Sequence, residues 1–160
     1  MAVLGGNAID HGLAYAGMVA DRQLVNKVSK LNKTGASIAY GLGLVSDGEG
    51  AAKLPTDAST AAEFVGVLMY ELNRARQDGE SGAPDNYDMT LLTVGPIWVE
   101  VLDTVAKDDP VYLRVGATGT GKFSGIVGTG VTLGVLIPNA KFLTGGDAGD
   151  LVKVSFTVGG

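Results

Sequence analysis

The chain has 160 residues, of which 46% are apolar and only 18% charged, enough for one core that buries roughly 68–70% of the unfolded surface. Twelve basic against 17 acidic side chains give a formal net charge of −5, which argues against a nucleic-acid partner, because neutralising phosphates needs clustered Lys and Arg. The absence of cysteine removes disulfides and thiolate metal sites.

Met1 to Asp21 contains no Lys or Arg and so lacks the basic region of a secretory signal, which makes cytoplasmic synthesis the expectation. The Gly- and Ala-rich start shows no period and predicts an extended arm over residues 1–13, with a single β domain over 14–160. Leu24, Val28 and Leu31 fall at helical spacing and permit a short helix over 21–31, with a strand as the alternative. Ile38, Tyr40, Leu42 and Leu44 alternate with small residues as in a half-buried strand, and Asp47-Gly48 marks a turn. Phe64 to Tyr70 is a continuous apolar run. The polar stretch 71–88 reads as an exposed loop, equally a solvated loop or a binding element. Leu91 to Leu102 predicts two strands broken at Gly95-Pro96, with Ile97, Val99 and Val101 on one face and Trp98 and Glu100 on the other. Val111, Leu113 and Val115 alternate with Tyr112 and Arg114; Val131 to Ile137 and Val152 to Val158 repeat the pattern.

Seven or eight short strands with scarcely a helix predict an all-β fold, a small β-barrel or two-sheet sandwich with at most one or two short helices. The uncharged stretch between Lys122 and Lys141 is interrupted by glycines, Pro138 and Asn139 and does not read as a membrane span. No membrane partner is expected.

No catalytic set emerges. Gly116 to Lys122 has the glycine spacing and lysine of a phosphate-cradling loop, but Phe123 stands where a Ser or Thr must ligate magnesium, and no helix follows. A hairpin turn is the expectation there. His11 is the sole histidine, so a His-based metal cluster and a Ser–His pair are not signalled. Glu100, Asp103, Asp108 and Asp109 lack the alternating spacing of a calcium loop and read as solvated acidic turns. Trp98, Tyr70 and Tyr112 could form a stacking platform, with cross-strand packing the plainer reading. No cofactor or metal is expected.

Five segments in order carry a resemblance: Ala14-Tyr15-Ala16-Gly17-Met18-Val19-Ala20-Asp21, Ala62-Glu63-Phe64-Val65-Gly66-Val67, Val94-Gly95-Pro96-Ile97-Trp98-Val99, Asp108-Asp109-Pro110-Val111-Tyr112 and Ala140-Lys141-Phe142-Leu143-Thr144. Together they resemble the head decoration, or structural cement, proteins of tailed bacteriophages. The resemblance implies a β-tulip-like barrel or sandwich on the outer surface of the capsid, bridging major capsid protein subunits as a homo-oligomer, without catalysis. It implies a location in the virion. A trimer is the first expectation and a dimer the second. The family supplies no fixed contact motif, so interface residues rest on physical reasoning: the arm around Leu13, Tyr15 and Met18, and Arg74 and Arg76 in the polar loop, which suit contact with capsid or sister subunits. The alternative is a carbohydrate-binding β module of a virion surface or tail structure, with Trp98 and exposed tyrosines as its platform.

Overall fold

A computed structural model describes residues 14–21, 23–71 and 82–157. The arm at 1–13, with Leu13 and His11, lies outside the described residues, as do Arg74, Arg76 and Val158. The strands are β1 (Asn26–Asn32), β2 (Ile38–Ala39), β3 (Gly43–Ser46), β4 (Ala51–Lys53), β5 (Phe64–Leu68), β6 (Gly82–Ala83), β7 (Asp88–Glu100), β8 (Pro110–Arg114), β9 (Phe123–Ser124), β10 (Gly134–Phe142) and β11 (Leu151–Thr157). Among the described residues helix is confined to two three-residue 3-10 turns, Ala61–Glu63 and Gly130–Thr132.

Nine strands form one sheet in the order β1-β4-β3-β5-β7-β11-β10-β8-β9, and β7 also pairs with β1, which closes the first part into a small barrel. β7 belongs to both halves. Its Asp88–Val94 stretch pairs with β1, with Leu91 and Leu92 also opposite β5, and its Val94–Glu100 stretch pairs with β11. Beyond β7, Val101 bridges Phe123 of β9 in parallel and so draws the far end of the sheet back. β2 and β6 pair separately as a second, two-stranded sheet.

Two buried clusters follow from this topology. One gathers Ile38, Tyr40, Leu44, Ala52, Leu68 and Leu91; the other holds Val45, Phe64, Val67, Leu92, Phe123 and Phe156 with further β8–β11 residues. Successive residues on a strand point to opposite faces, so Leu44 and Val45, Val67 and Leu68, and Leu91 and Leu92 each divide between the clusters. Burial on both faces explains why Phe64 to Leu68 reads as a continuous apolar run.

Several expectations are corrected. The 21–31 segment is strand, not helix, from Asn26 onward, and Leu24 is solvent-exposed. The alternating stretch 38–44 is two strands, because the chain turns at Tyr40-Gly41. Leu91 to Glu100 is not broken: β7 runs through Gly95-Pro96, where Gly95 takes φ 125° and Pro96 needs only to accept, from Ala20 N at 2.9 Å. A side chain at 95 would be strained at this φ and would crowd Val25, whose Cγ1 lies 2.6 Å from where its Cβ would stand. Val131 sits on a 3-10 turn ahead of β10 and is exposed, so only Ile137 of that alternating set is buried. The polar stretch 71–88 is not wholly exposed, for Gly82 and Ala83 are buried against β2. The Asp47-Gly48 turn forms as expected, and Lys53 reaches Asp47 at 2.8 Å across it. That hydrogen bond raises the lysine pKa above its ordinary value.

Asn32, at the end of β1, is fully buried. Its Nδ2 donates to Ala36 O at 2.8 Å and to Ala83 O and Pro84 O at 3.1 Å, while its Oδ1 accepts from Thr34 N and Thr34 Oγ1. One side chain thus ties the two-stranded sheet to the barrel. Asn32→Ala leaves these carbonyls unsatisfied and is expected to cost about 2–3 kcal/mol. Asn32→Asp, which turns a carboxylate oxygen toward three carbonyls, is expected to cost more, and urea denaturation of both variants checks the order.

Candidate interaction site

Residues 14–20 form an added edge on the sheet. Gly17 N donates to Trp98 O at 2.8 Å, Trp98 N to Met18 O at 2.9 Å, and Tyr70 N to Gly17 O at 2.8 Å, while Val19 bridges Ile97. The docking requires glycine at two facing positions: Gly17 (φ 84°) and Gly41 (φ 80°) bring their backbones so close that a Cβ at 41 would lie 2.9 Å from Gly17 N, and one at 17 would lie 2.6 Å from Leu68 O.

Three tyrosines close this corner. Tyr15 stacks on Tyr70 with centroids 5.3 Å apart and planes 13° apart, and Tyr40 meets Tyr70 edge-on at 5.1 Å. Tyr15 keeps 43% of its surface exposed, and an open cleft of about 230 Å3 is lined by Tyr15, Ala16, Ala39, Tyr40 and Tyr70. Stacked rings with one wet face are the usual material of binding hot spots. The corner also gathers chain ends. Residue 14 follows directly on the 1–13 segment, Glu71 follows Tyr70, and Gly82 is the register partner of Ala39. Glu71 and Gly82, the described residues that flank 72–81 in the sequence, therefore both lie next to corner residues. Of the proposed interface residues, Tyr15 and Met18 are brought together here; Met18 is half-buried and contributes its backbone to the pairing with Trp98.

Trp98 is half-buried, with Lys153 Nζ 5.3 Å from its ring centroid and held there by Asp21 Oδ1 at 3.0 Å. Tyr112 lies on β8, opposite Leu136 of β10. Among the described residues the ring of Tyr70 meets those of Tyr15 and Tyr40, while that of Trp98 meets Lys153.

Gly116 to Lys122 is the connection of the β8–β9 hairpin, as expected. Lys122 Nζ is occupied by Glu100 Oε1 at 2.5 Å. The acidic residues are likewise engaged one by one: Asp108 with Lys141 at 3.4 Å, and Asp109 accepting from Ala106 N at 2.8 Å. No group of three or more His, Cys, Asp or Glu able to hold a metal lies together among the described residues. No helix there is long and apolar enough to cross a membrane.

The feature that sequence reasoning missed is Arg114, nearly buried on β8. Its Nη1 donates to Thr132 O and its Nη2 lies 3.7 Å from Asp103 Oδ2; Asp103 in turn accepts from Ser124 Oγ and from Gly125 N at 2.8 Å. Both ends of the 125–132 loop are pinned by this pair. An arginine alternating with apolar residues carries no sequence mark of burial, because only the fold reveals that a loop covers that face.

Compared with known proteins, residues 7–157 match the family described as "Structural cement protein (E217 gp24/Pam3 gp6)". A chain of the solved structure titled "The capsid of Myoviridae Phage XM1" is similar at 18% identity and a TM-score of 0.68, over 91% of this chain and 90% of that one. At that identity the likeness shows a shared fold. No curated protein matches.

Proposed function

The chain belongs to the structural cement proteins of bacteriophages, a component of the virion capsid, and on that premise we propose that it binds the outer surface of a tailed-phage head and ties neighbouring major capsid protein subunits together. It does so without catalysis, as a homo-oligomer in which residues 14–160 are the domain and residues 1–13 the reaching arm. A trimer on a local three-fold axis is the arrangement we favour, ahead of a dimer on a two-fold, because several modest contacts made by one oligomer multiply into avidity.

The observation that carries this reading is the tyrosine corner. Tyr15, Tyr40 and Tyr70 pack together close in the sequence to residues 1–13 and to Arg74 and Arg76, with Gly82 paired to Ala39 beside them. Aromatic anchors, followed a few positions on in the sequence by arginines able to pair bidentately with acidic groups, are what a protein-binding surface needs. The net charge of −5 suits an outer face over one lining packaged DNA.

Co-sedimentation with expanded, decoration-free heads tests it. The full chain is expected to saturate at a fixed ratio to the major capsid protein. Removal of residues 2–13, and separately Tyr15→Ala, is expected to raise the Kd at least about tenfold, or about 1.4 kcal/mol, with the β fold intact by circular dichroism. No binding by the full chain would contradict the function; unchanged binding by the truncated chain would contradict the arm's part in it.

A further inference from the structure

Another apolar exposed surface among the described residues lies on the loop after β9 and on β10. Phe123 through Ala140 contains no charged residue, yet Ile126, Val127 and Leu136 are 59%, 52% and 47% exposed. They adjoin one another. Gly134 N donates to Val127 O at 2.6 Å. A Cβ at Gly134 would lie 3.1 Å from Tyr112 Cβ and 3.5 Å from Ile126 O, and Leu136 is the register partner of Tyr112. Scattered apolar residues on a surface need no explanation, but a run of them without charge does.

This strip is held in place before any contact. Asp103 takes Gly125 N and Ser124 Oγ at one end of the loop, and Arg114 takes Thr132 O at the other. Pre-ordering of this kind lowers the entropy lost on association. Charge decides what covers it. Residues close to a rotation axis meet their own equivalents, so any charge there faces a like charge, and each copy carries −5. A strip free of charge escapes that repulsion, and the cores of homo-oligomer interfaces are apolar and charge-depleted.

We infer that Ile126, Val127 and Leu136, with Tyr112 between them, form the surface through which copies of this chain associate with one another. The inference rests on the homo-oligomer of the reading above and assigns it a contact distinct from the tyrosine corner.

Light scattering of the purified full chain tests it. The wild type is expected at a multiple of 16.3 kDa, the double variant I126K/V127K and the single variant Leu136→Glu at the mass of one chain, all with unchanged far-UV circular dichroism. Leu24→Lys, at a position 95% exposed at the approach to β1, should keep the multiple. A wild type of single-chain mass, or folded strip variants that keep the multiple, would falsify the inference. Head co-sedimentation of the same proteins separates the two ideas. Strip variants that stay oligomeric but lose the heads put the capsid protein on the strip. A wild type that is oligomeric, loses its multiple in the variants and ignores heads upholds the strip and overturns the capsid function.

Discussion

Phe156→Ala is expected to lower the free energy of unfolding by about 3–5 kcal/mol, the range for removing a large aromatic from a packed core. Phe156 is fully buried on β11, with its ring centroid 5.7 Å from that of Phe64 at the start of β5 and 5.4 Å from that of Phe123 on β9. It is the point where the barrel side and the far side of the sheet share one core. Substitution there should lower the melting temperature by roughly 10 °C for a chain of this length. It should also leave one cooperative transition, because β7 runs through both halves and neither keeps a complete core without it. Leu24→Ala is the internal comparison: at 95% exposure it is expected to cost well under 1 kcal/mol. Calorimetry on both variants checks the contrast, and two separated transitions in Phe156→Ala would show that the halves fold independently.

The second large effect is expected at Arg114. Its side chain is 5% exposed and that of Asp103 21%, and the arginine Nε has no acceptor among the described residues. Arg114→Ala removes the counter-charge of Asp103 and leaves Thr132 O unpaired, a loss near the lower end of the about 3–5 kcal/mol typical of breaking a buried pair. Arg114→Met retains most of the apolar stem and is expected to cost less, and the double variant Arg114→Met with Asp103→Asn less again, since no unpaired charge is then left. The order Ala, then Met, then the double variant in denaturation midpoint is the expected result. An Arg114→Ala protein as stable as the wild type would show that the pair does not pin the 125–132 loop.

The strands that sequence reading recovered best are β8 and β11, where one face is core and period two is clean: Val111 and Leu113 against Tyr112, and Val152, Val154 and Phe156 against half-exposed neighbours. It failed where backbone demands override pattern. Pro96 signalled a break, but a proline ends a strand only where its missing N–H is needed, and here its carbonyl alone is used. Gly41 was read as one small residue of an alternating strand, yet its positive φ and contact with Gly17 turn the chain. Leu24, Val28 and Leu31 mimic a helical stripe only because Leu24 precedes the strand altogether. At the candidate site, Tyr15 was legible as an apolar residue without a local partner, whereas its stacking on Tyr70 joins residues 55 positions apart by numbering, which no local pattern encodes. The burial of Arg114 was invisible for the same reason.

The most direct measurement is a cryo-electron microscopy reconstruction of decoration-free heads to which the purified protein has been added back. The account predicts density for the β domain on the outer surface, over the contacts between neighbouring major capsid protein subunits. Tyr15 and Tyr70 should be turned toward the capsid, and Ile126 and Val127 toward a sister copy. Heads that stay bare, or density in which the tyrosine corner faces solvent, would contradict it.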